Sequence, residues 1–491
     1  MNTFTNKLAN QPKTFWLYAV CFVFIAINCY CLAHEFFYLI FLPAIILVLL
    51  LALFSMETLM LMTVFLTPLS VNLRDVLTGR EGLSLSLPTE PILFGIMIIY
   101  IFKSIREINH TKKLMRHPIT IAIVIQLVWM FITCITSTIP LVSFKAFTAR
   151  LWFVTAFYFM ANELFKKKSN IKKFYWMYII SFLLVIFYTI YNHAHYNFSE
   201  DAAHWVMTPF FNDHTAYGAL LAMYFPVILG FVFNKKDTKT LRILSFGVLV
   251  IFLVAIILSY TRAAWVGLAG ALAVYIVLLL KIKFRSILIL LGFLTLGGIV
   301  FQTQIEMKLE QNHQDSSRDF SKHLESISNI SSDASNLERL NRWSCALRMF
   351  EEKPIVGWGP GTYSFKYAPF QLASDRTIIS TDNGDRGNAH SEYFGPLCES
   401  GVLGFITFVV IVLSCLSTGF RLFYTVKDKE TRLLALVAIL GLVTYFVHGT
   451  VNDFLDTDKA SIPFWGFIAV LTAIDLHHNK KSENLNTLHT L

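Results

Sequence analysis

The chain of 491 residues is 55% hydrophobic and only 15% charged, whereas an average soluble domain has about 25% charged residues. Apolar runs of about 18 residues or more recur along it, and each is long enough to cross a hydrocarbon core of about 30 Å. These values exclude a soluble globular domain. The net charge of +9 would suit a nucleic-acid partner, but the basic residues cluster in short loops, which indicates membrane topology and no nucleic acid.

The apolar runs predict an all-α, polytopic integral membrane protein with about 12–14 transmembrane helices. Backbone groups in lipid must be paired within helices or a closed barrel, and continuous apolar runs such as 45–51 lack the alternation of barrel strands. The candidate spans are 15–33, 36–54, 57–71, 91–104, 118–138, 145–163, 174–191, 215–233, 243–260, 263–280, 286–301, 401–420, 433–450 and 461–477.

Lysine and arginine are concentrated on one side of this arrangement. With the amino terminus in the cytoplasm, every basic loop lies on the cytoplasmic side, as the positive-inside rule requires. The predicted domains are then N-terminal transmembrane helices (1–301), a large external loop (302–399), C-terminal transmembrane helices (400–480) and a cytoplasmic tail (481–491). The basic loops are 112–116, 166–173, 235–236, 281–285, 421–432 and 480–481.

The large external loop divides into a polar half and a patterned half. Residues 303–335 are rich in serine, aspartate and asparagine, and we expect them to be loosely ordered. Residues 336–350 carry apolar side chains at i, i+3 and i+4 spacing, which predicts an amphipathic helix. Gly357, Gly359 and Gly361 follow and predict a turn.

A second loop helix is predicted to begin at Asn388. Asparagine is a common residue at the start of a helix. This helix would carry His390, run toward the next span and pause at Gly401.

Cysteines and histidines show no metal-ligand spacing. The seven cysteines contain no CxxC pair and the histidines no H-x-x-x-H motif, so we expect no metal and no cofactor. Cys345 and Cys398, in or beside the loop, pair if that face is oxidising and otherwise remain free thiols.

Two arginines lie on the external side of predicted spans. Arg262 lies in the outward turn between two spans, and Arg150 is near the start of span 145–163. Ionisable residues at such depth are costly and indicate function, although either arginine could instead anchor at the lipid headgroups. Positive charge that serves topology belongs on the other side, so we expect a functional role for Arg262.

The predicted loop helix carries Arg339 and Arg342 three positions apart, hence on one face. Guanidinium groups present paired donors for phosphate oxygens, so together they suit a pyrophosphate. The alternative is a solvated face paired with Glu338. His390 is a candidate general base because its unperturbed pKa is about 6.5, or else a structural histidine.

Several motifs occur together between about residues 205 and 405. They are Pro209-Phe210-x-Asn212-x-His214-x-x-Tyr217-Gly218, Ser259-Tyr-Thr-Arg262-Ala-Ala-Trp265, Arg339-x-x-Arg342-Trp343, Pro354-x-x-Gly357-x-Gly359-x-Gly361, Asn388-Ala-His390-Ser-Glu392-Tyr393 and Glu399-Ser-Gly401. With the long external loop between two late spans, they resemble the O-antigen ligase / O-antigen polymerase family of bacterial inner-membrane proteins, which includes some O-linked oligosaccharyltransferases.

The resemblance implies metal-independent glycan transfer at the periplasmic face of the inner membrane. The donor would be a polysaccharide on undecaprenyl pyrophosphate, the acceptor a sugar of lipid A–core, and membrane lipids would surround both. This chain has Asn388 where the family often has a second histidine. The implied residues are, for catalysis, His390, Arg262 and Arg339 and, for substrate binding, Arg150, Arg342, His214 and Glu399.

The expected function is that of an O-antigen ligase. An O-antigen polymerase that extends the lipid-linked glycan and an O-linked protein oligosaccharyltransferase are the alternatives with the same donor. A polysaccharide transporter or flippase is the alternative from another class, and it would place paired charges near the bilayer midplane.

Overall fold

The computed structural model describes residues 11–34, 39, 42–73, 85–106, 112–282, 286, 289, 292, 334–373, 380 and 387–479. In these ranges the regular secondary structure is helical except for a short ribbon, in which β1 (Val71–Asn72) pairs antiparallel with β2 (Ser86–Leu87). The predicted all-α, polytopic class is therefore confirmed. Most of the predicted span 286–301, the polar residues 303–333 and the tail 481–491 lie outside the described residues.

The chain forms two compact units, residues 1–60 and 61–491. The first contains α1 (Gln11–Ala33) and α2 (Leu42–Phe54), whose side chains are mostly apolar and exposed. Helix α3 (Met56–Leu66) extends from the first unit into the second. Exposed apolar helices of this kind are suited to a lipid environment.

The second unit holds the remaining helices. In chain order they are α4 (Thr89–Arg106), α5 (Lys112–Met115), α6 (Pro118–Ile135), α7 (Pro140–Val154), α8 (Ala161–Leu164), α9 (Lys168–Ala194), α10 (Glu200–Ala203), α11 (His214–Phe233), α12 (Lys239–Leu258), α13 (Arg262–Leu279), α14 (Ala334–Glu352), α15 (Tyr363–Lys366), α16 (Phe394–Thr425), α17 (Lys429–His448) and α18 (Asp458–Ala473). A π-helical turn, Thr155–Met160, joins α7 to α8, and another, Ile474–His478, extends α18.

Eight helices in the described part of the chain are long and apolar enough to cross a membrane: α6, α9, α11, α12, α13, α16, α17 and α18 with its π-helical extension. Of these, α18, α17 and α11 are the most buried, and α12 and α13 are among the most exposed. Glycines let the buried helices approach closely, as where a Cβ on Gly267 of α13 would lie 2.8 Å from the Thr444 carbonyl oxygen of α17.

The predicted loop helix is confirmed as α14, which begins at Ala334 and ends at Glu352. Its apolar side packs into a core cluster that contains Cys345 and Met349 from α14, Tyr363 and Tyr367, and Cys398 from α16. Cys345 and Cys398 are both buried free thiols in this cluster. The loop is thus anchored to the membrane helices by an apolar core of its own.

The three loop glycines form a turn, as their spacing predicts. Gly357, Gly359 and Gly361 have φ of 66°, 110° and 73°, which only glycine adopts readily. The Gly359 N–H donates to the Glu399 carbonyl at 2.8 Å, and the Thr138 N–H donates to the Trp358 carbonyl at 3.0 Å. The turn is therefore held between α16 and the connection from α6 to α7.

The prediction of a helix from Asn388 was wrong, because α16 begins only at Phe394. The side chains of Asn388 and Ser391 capture the backbone instead: Asn388 Oδ1 accepts from the His390 N–H, and Ser391 Oγ accepts from the N–H groups of Tyr393 and Phe394. Such local bonds compete with helix formation. The predicted pause at Gly401 is confirmed by its φ of 69° within α16.

Candidate functional site

His390 lies in the extended connection that precedes α16, where its backbone has φ 47°. A positive φ is uncommon for a non-glycine residue and tends to occur at functional sites. The Asn388 side chain holds its N–H at 3.3 Å, and the Trp343 indole N–H donates to its carbonyl at 3.3 Å. The ring is therefore presented by a backbone that is fixed on both sides.

The surroundings of His390 keep its imidazole neutral. Burial, followed by the positive charges of Arg339 and Arg342, lowers the pKa of His390 to about 4, against a smaller opposing effect of Asp213 and Glu338. At neutral pH the ring therefore has a lone pair available to accept a proton. These electrostatic interactions indicate that α14 and Asp213, the residue before α11, lie near His390.

Asp213 and His214 form the start of α11. Asp213 caps the helix, since its Oδ1 accepts from the Thr215 N–H at 2.9 Å. Burial opposes ionisation, but hydrogen bonds from His214 and Thr215 hold the pKa of Asp213 well below its usual range. The His214 Nδ1 lies 3.2 Å from the Asp213 Oδ1, and its ring stacks edge-on with His204 at 4.1 Å.

Arg262 is the first residue of α13, directly beside the start of α11. Thr261 Oγ1 donates to the His214 carbonyl at 3.0 Å, which joins the two helix starts. Thr261 makes no side-chain cap to α13, and Tyr260 before it has φ 49°. The amino end of α13, with its arginine, therefore offers backbone N–H groups and positive charge at one place.

His448, the last residue of α17, belongs to the same cluster. It is buried, and its Nε2 is 3.1 Å from the Asn452 Nδ2. Its ring lies next to the backbone of Ala263 and interacts electrostatically with Arg339 and Asp213. Sequence analysis assigned this histidine no role, because nothing in the local pattern connects it to residues far away in the chain.

Arg342 is held away from solvent by protein groups. Its Nε donates to the Glu338 Oε1 at 2.6 Å, and its guanidinium lies 4.0 Å from the centre of the Tyr367 ring. Glu338 also accepts a short hydrogen bond from Ser380. The pairing with Glu338 that was considered as an alternative is present, but the pair is buried instead of solvated.

Glu392 attaches the His390 segment to the connection between α17 and α18. Its Oε1 accepts from the Tyr445 hydroxyl at 2.7 Å and from the Phe454 and Leu455 N–H groups at 2.8 and 2.9 Å. Its own N–H donates to the Gly449 carbonyl at 2.8 Å. Burial raises the pKa of Glu392 even though these donors oppose the shift. His390 is thereby fixed relative to His448 on α17.

Arg150 and Glu399 lie at a second place. Arg150 is on α7, its guanidinium is 6.0 Å from the centre of the Trp465 ring, and it acts electrostatically on Glu392 and Asp456. The Glu399 Oε1 accepts from the Tyr363 N–H at 3.0 Å. Both residues line a crevice between α6, α7 and α16.

The predicted site residues therefore divide into two groups and one structural residue. The first group, here called the histidine cluster, comprises His390, Arg339, Arg262 and His214 from the prediction, with Asp213 and His448 added by the structure. The second comprises Arg150 and Glu399. Arg342 is committed to Glu338. Among the described residues no three His, Cys, Asp or Glu side chains group as metal ligands.

Two comparisons with known proteins bear on this arrangement. Residues 247–409 match a protein family described as O-antigen ligase. An uncharacterized protein of Haemophilus influenzae is 26% identical over 248 residues, which cover 49% of this chain and 59% of that relative. The matched part thus spans less than two thirds of the relative's length. The family match includes Arg262, Arg339, His390 and Glu399, and the described part of the chain has eight helices that are long and apolar enough to cross a membrane.

Proposed function

We propose that this protein is an O-antigen ligase: it transfers a polysaccharide from undecaprenyl pyrophosphate to a sugar hydroxyl of lipid A–core. The reaction takes place on the periplasmic face of the bacterial inner membrane and uses no metal. The observation that carries the proposal is the histidine cluster, in which a neutral histidine lies within the field of Arg339, and of which Arg262, Arg339 and His390 fall inside the family match.

The pyrophosphate of the donor is held by Arg262 and Arg339. Arg262 contributes a guanidinium fork, and the uncapped start of α13 contributes N–H groups that point toward an anion. As the glycosidic bond breaks, negative charge develops on the pyrophosphate, and preorganised cations stabilise that charge. His214 and Asp213 fix the position of the α13 start through the Thr261 hydroxyl.

His390 receives the proton of the acceptor hydroxyl. The acceptor oxygen forms a bond with the anomeric carbon, the bond from that carbon to the pyrophosphate oxygen breaks, and the electron pair leaves with the pyrophosphate. The proton passes to the imidazole and then to solvent or to the leaving group. A base must lie within hydrogen-bond reach of the hydroxyl, and the fixed backbone around His390 keeps its ring in one position.

Donor binding also strengthens this base. Burial, followed by the charges of Arg339 and Arg342, lowers the pKa of His390 to about 4 in the empty site, and a base of such low pKa accepts a proton weakly. A pyrophosphate bound at Arg339 offsets the part of the shift that comes from positive charge, so the pKa of His390 rises when the donor binds. The histidine is therefore a stronger base when the donor is present.

Arg342, predicted to bind substrate, is assigned here to positioning. Its buried pair with Glu338 and its contact with the Tyr367 ring leave it as a support for α14, which carries Arg339. The O-antigen polymerase remains the second candidate, because it requires the same donor site and differs only in the acceptor. Transfer to protein and glycan transport are the further alternatives, and neither has a specific contact in its favour.

The test is the lipopolysaccharide pattern of a deletion strain, with undecaprenyl-linked glycans extracted in parallel. A ligase leaves core without a ladder and long polymer on the lipid carrier. Core that bears a single repeat unit would assign the polymerase instead. An unchanged ladder would overturn both, and complementation with the wild-type gene controls for effects on neighbouring genes.

A further inference from the structure

A second polar site is present in the crevice between α6, α7 and α16. Gln126, Trp129 and Met130 of α6 line one side, Arg150 lies on α7, and α16 contributes its residues from Pro396 to Thr407. The α16 residues lie on both sides of the kink at Gly401, from Pro396 and Glu399 before it to Gly404 and Thr407 after it.

Two polar groups in the crevice lack a hydrogen-bond partner among the described residues. Arg150 forms no hydrogen bond or ion pair within 4.0 Å in the part of the chain that the structure describes. The Gln126 Oε1 is buried without a hydrogen-bond partner among the same residues. A polar group in such a place is costly unless a ligand or water completes it. Both groups lie inside helices, where polar side chains commonly mark substrate sites.

Nearby carboxylates make no hydrogen bond to Arg150, although Glu392, Glu399 and Asp456 interact with it electrostatically. Glu399 receives the Tyr363 N–H, and Glu392 receives three donors from the α17 side. Burial raises the pKa of Glu392 and of Asp456, which favours their neutral forms. The free donors of the guanidinium therefore suit an anion, and its planar fork suits a phosphate.

The outer rim of the crevice is apolar. On α6, Ile125 and Val128 expose about half of their surface, and on α16, Leu403 and Ile406 expose 41% and 44%. These side chains lie one position from the crevice residues Gln126, Trp129, Gly404 and Thr407. An amphiphile can thus place its acyl chains against the rim while its phosphate reaches Arg150.

We propose that this crevice binds the phosphate of a membrane lipid that enters between α6 and α16, and that this lipid is the acceptor in the transfer. The second half of this statement rests on the proposed function. A transferase that joins glycans from two lipids must hold two lipid phosphates at once. The segment 388–400, with His390 near one end and Glu399 near the other, connects the two sites.

The binding test uses the purified full-length protein in phosphatidylcholine vesicles that contain a small fraction of phosphatidic acid with brominated acyl chains. Trp129 lines the crevice, so its quenching, obtained as the difference between wild type and Trp129→Phe, reports the lipid. Brominated diacylglycerol at the same fraction is the comparison without phosphate. We expect stronger quenching by phosphatidic acid, with a half-saturating fraction about tenfold or more higher in Arg150→Gln.

Gln126→Glu is a second variant that leaves Arg150 in place. It puts a carboxylate beside the phosphate, and we expect the preference for phosphatidic acid to disappear. Arg116→Gln, which removes an exposed arginine from the opposite end of α6, is the matched control and should bind as wild type does. Preserved preference in both Arg150→Gln and Gln126→Glu would overturn the lipid site, as would displacement by an equal concentration of inorganic phosphate, which would indicate a free-anion site.

The role as acceptor site has its own readout. In a transfer assay, Arg150→Gln should raise the KM for the lipid acceptor about tenfold and leave the KM for the donor unchanged. A raised donor KM with an unchanged acceptor KM would overturn the acceptor assignment. A wild-type protein without transfer activity would overturn the proposed function, while the quenching experiment would still decide the lipid site.

Discussion

The acidic side chains at the two ends of helix α17 have different kinds of partner. At its first turn, Glu430 and the preceding Asp428 lie among lysines of other helices: Lys168 Nζ is 2.8 Å from Glu430 and 3.1 Å from Asp428, and Lys236 Nζ is 2.6 Å from Asp428. Lys172 is also paired, with Glu430 and with Asp237. These lysines belong to the loops that were predicted to be cytoplasmic.

At the other end of α17, around His448, the carboxylates take their hydrogen bonds from backbone N–H groups and hydroxyls. Glu392 accepts from Phe454, Leu455 and Tyr445, and Asp213 accepts from Thr215. Because these acids are satisfied without lysine or arginine, their charge is not matched pair by pair with cations. The clearest example of a cation without such a matching acid is Arg150 in the crevice.

The comparison teaches how to separate topological charge from functional charge in a membrane protein. Ion pairs between helices neutralise each other and fasten the bundle, whereas the guanidinium of Arg150 makes no hydrogen bond or ion pair with the described residues and keeps its donors available. The position of a charged residue in the sequence does not show whether it serves topology or function. Its partners in the structure do, and the following predictions test this distinction.

The largest effect is expected at His390. His390→Ala removes the proposed base and should lower the rate of transfer by about 10²- to 10⁴-fold. The matched control is His195→Ala, an exposed histidine directly after α9 whose contacts among the described residues lie within that helix. The measurement is glycan output at equal membrane abundance. Wild-type output from His390→Ala would remove the histidine cluster from the mechanism.

Arg262→Ala should have the next largest effect, a loss of about 10²- to 10³-fold, because a preorganised cation no longer meets the charge on the leaving pyrophosphate. If the cation acts in the transition state, kcat falls more than the donor KM rises. Arg116→Ala at the opposite face is the control. Equal, small effects of both substitutions would mean that Arg262 only anchors α13 at the interface.

The pH profile gives a smaller, directional effect. Protonation of His390 removes the base, so kcat/KM should fall on the acid side with a pKa of about 4, the value in the empty site. Arg339→Gln removes a positive charge that opposes protonation, so this acid limb should move to higher pH. The acid limb of kcat in the wild type should also lie higher, because bound pyrophosphate offsets Arg339. An unchanged acid limb in Arg339→Gln would contradict this coupling.

The fold could be predicted from the sequence to the extent that lipid and periodicity dictate it. Lipid requires paired backbone, so long apolar runs such as α12 had to be helices. The i, i+3 and i+4 pattern produced α14. The prediction of a helix from Asn388 failed because propensity rules assign asparagine and serine to helix starts. In the structure these two short side chains form hydrogen bonds with the local backbone instead.

The candidate site could be predicted only in part. Arg262, Arg339 and His390 stand in motifs, but Asp213 and His448 enter the cluster from α11 and α17, and their positions depend on how buried helices pack. Packing also determines that Arg342 forms a buried pair with Glu338. The spacing of Arg339 and Arg342 alone was compatible with a substrate-binding face or with a pair. Gln126 was not predicted as a site residue, because a single glutamine in an apolar helix indicates a site only when the structure places it in the same crevice as Arg150.

The smallest effect is expected at the lysine-rich end of α17. Glu430→Gln removes the pairs with Lys168 and Lys172, and since such partly exposed pairs contribute at most about 1 kcal/mol each, the loss of unfolding free energy should be small. Transfer per molecule should stay at the wild-type level, because these charges neutralise each other far from the histidine cluster. Thermal unfolding in detergent and the transfer assay measure the two quantities. A loss of transfer as large as that of Arg262→Ala, with normal stability, would break the distinction between the lysine-rich end of α17 and the histidine cluster.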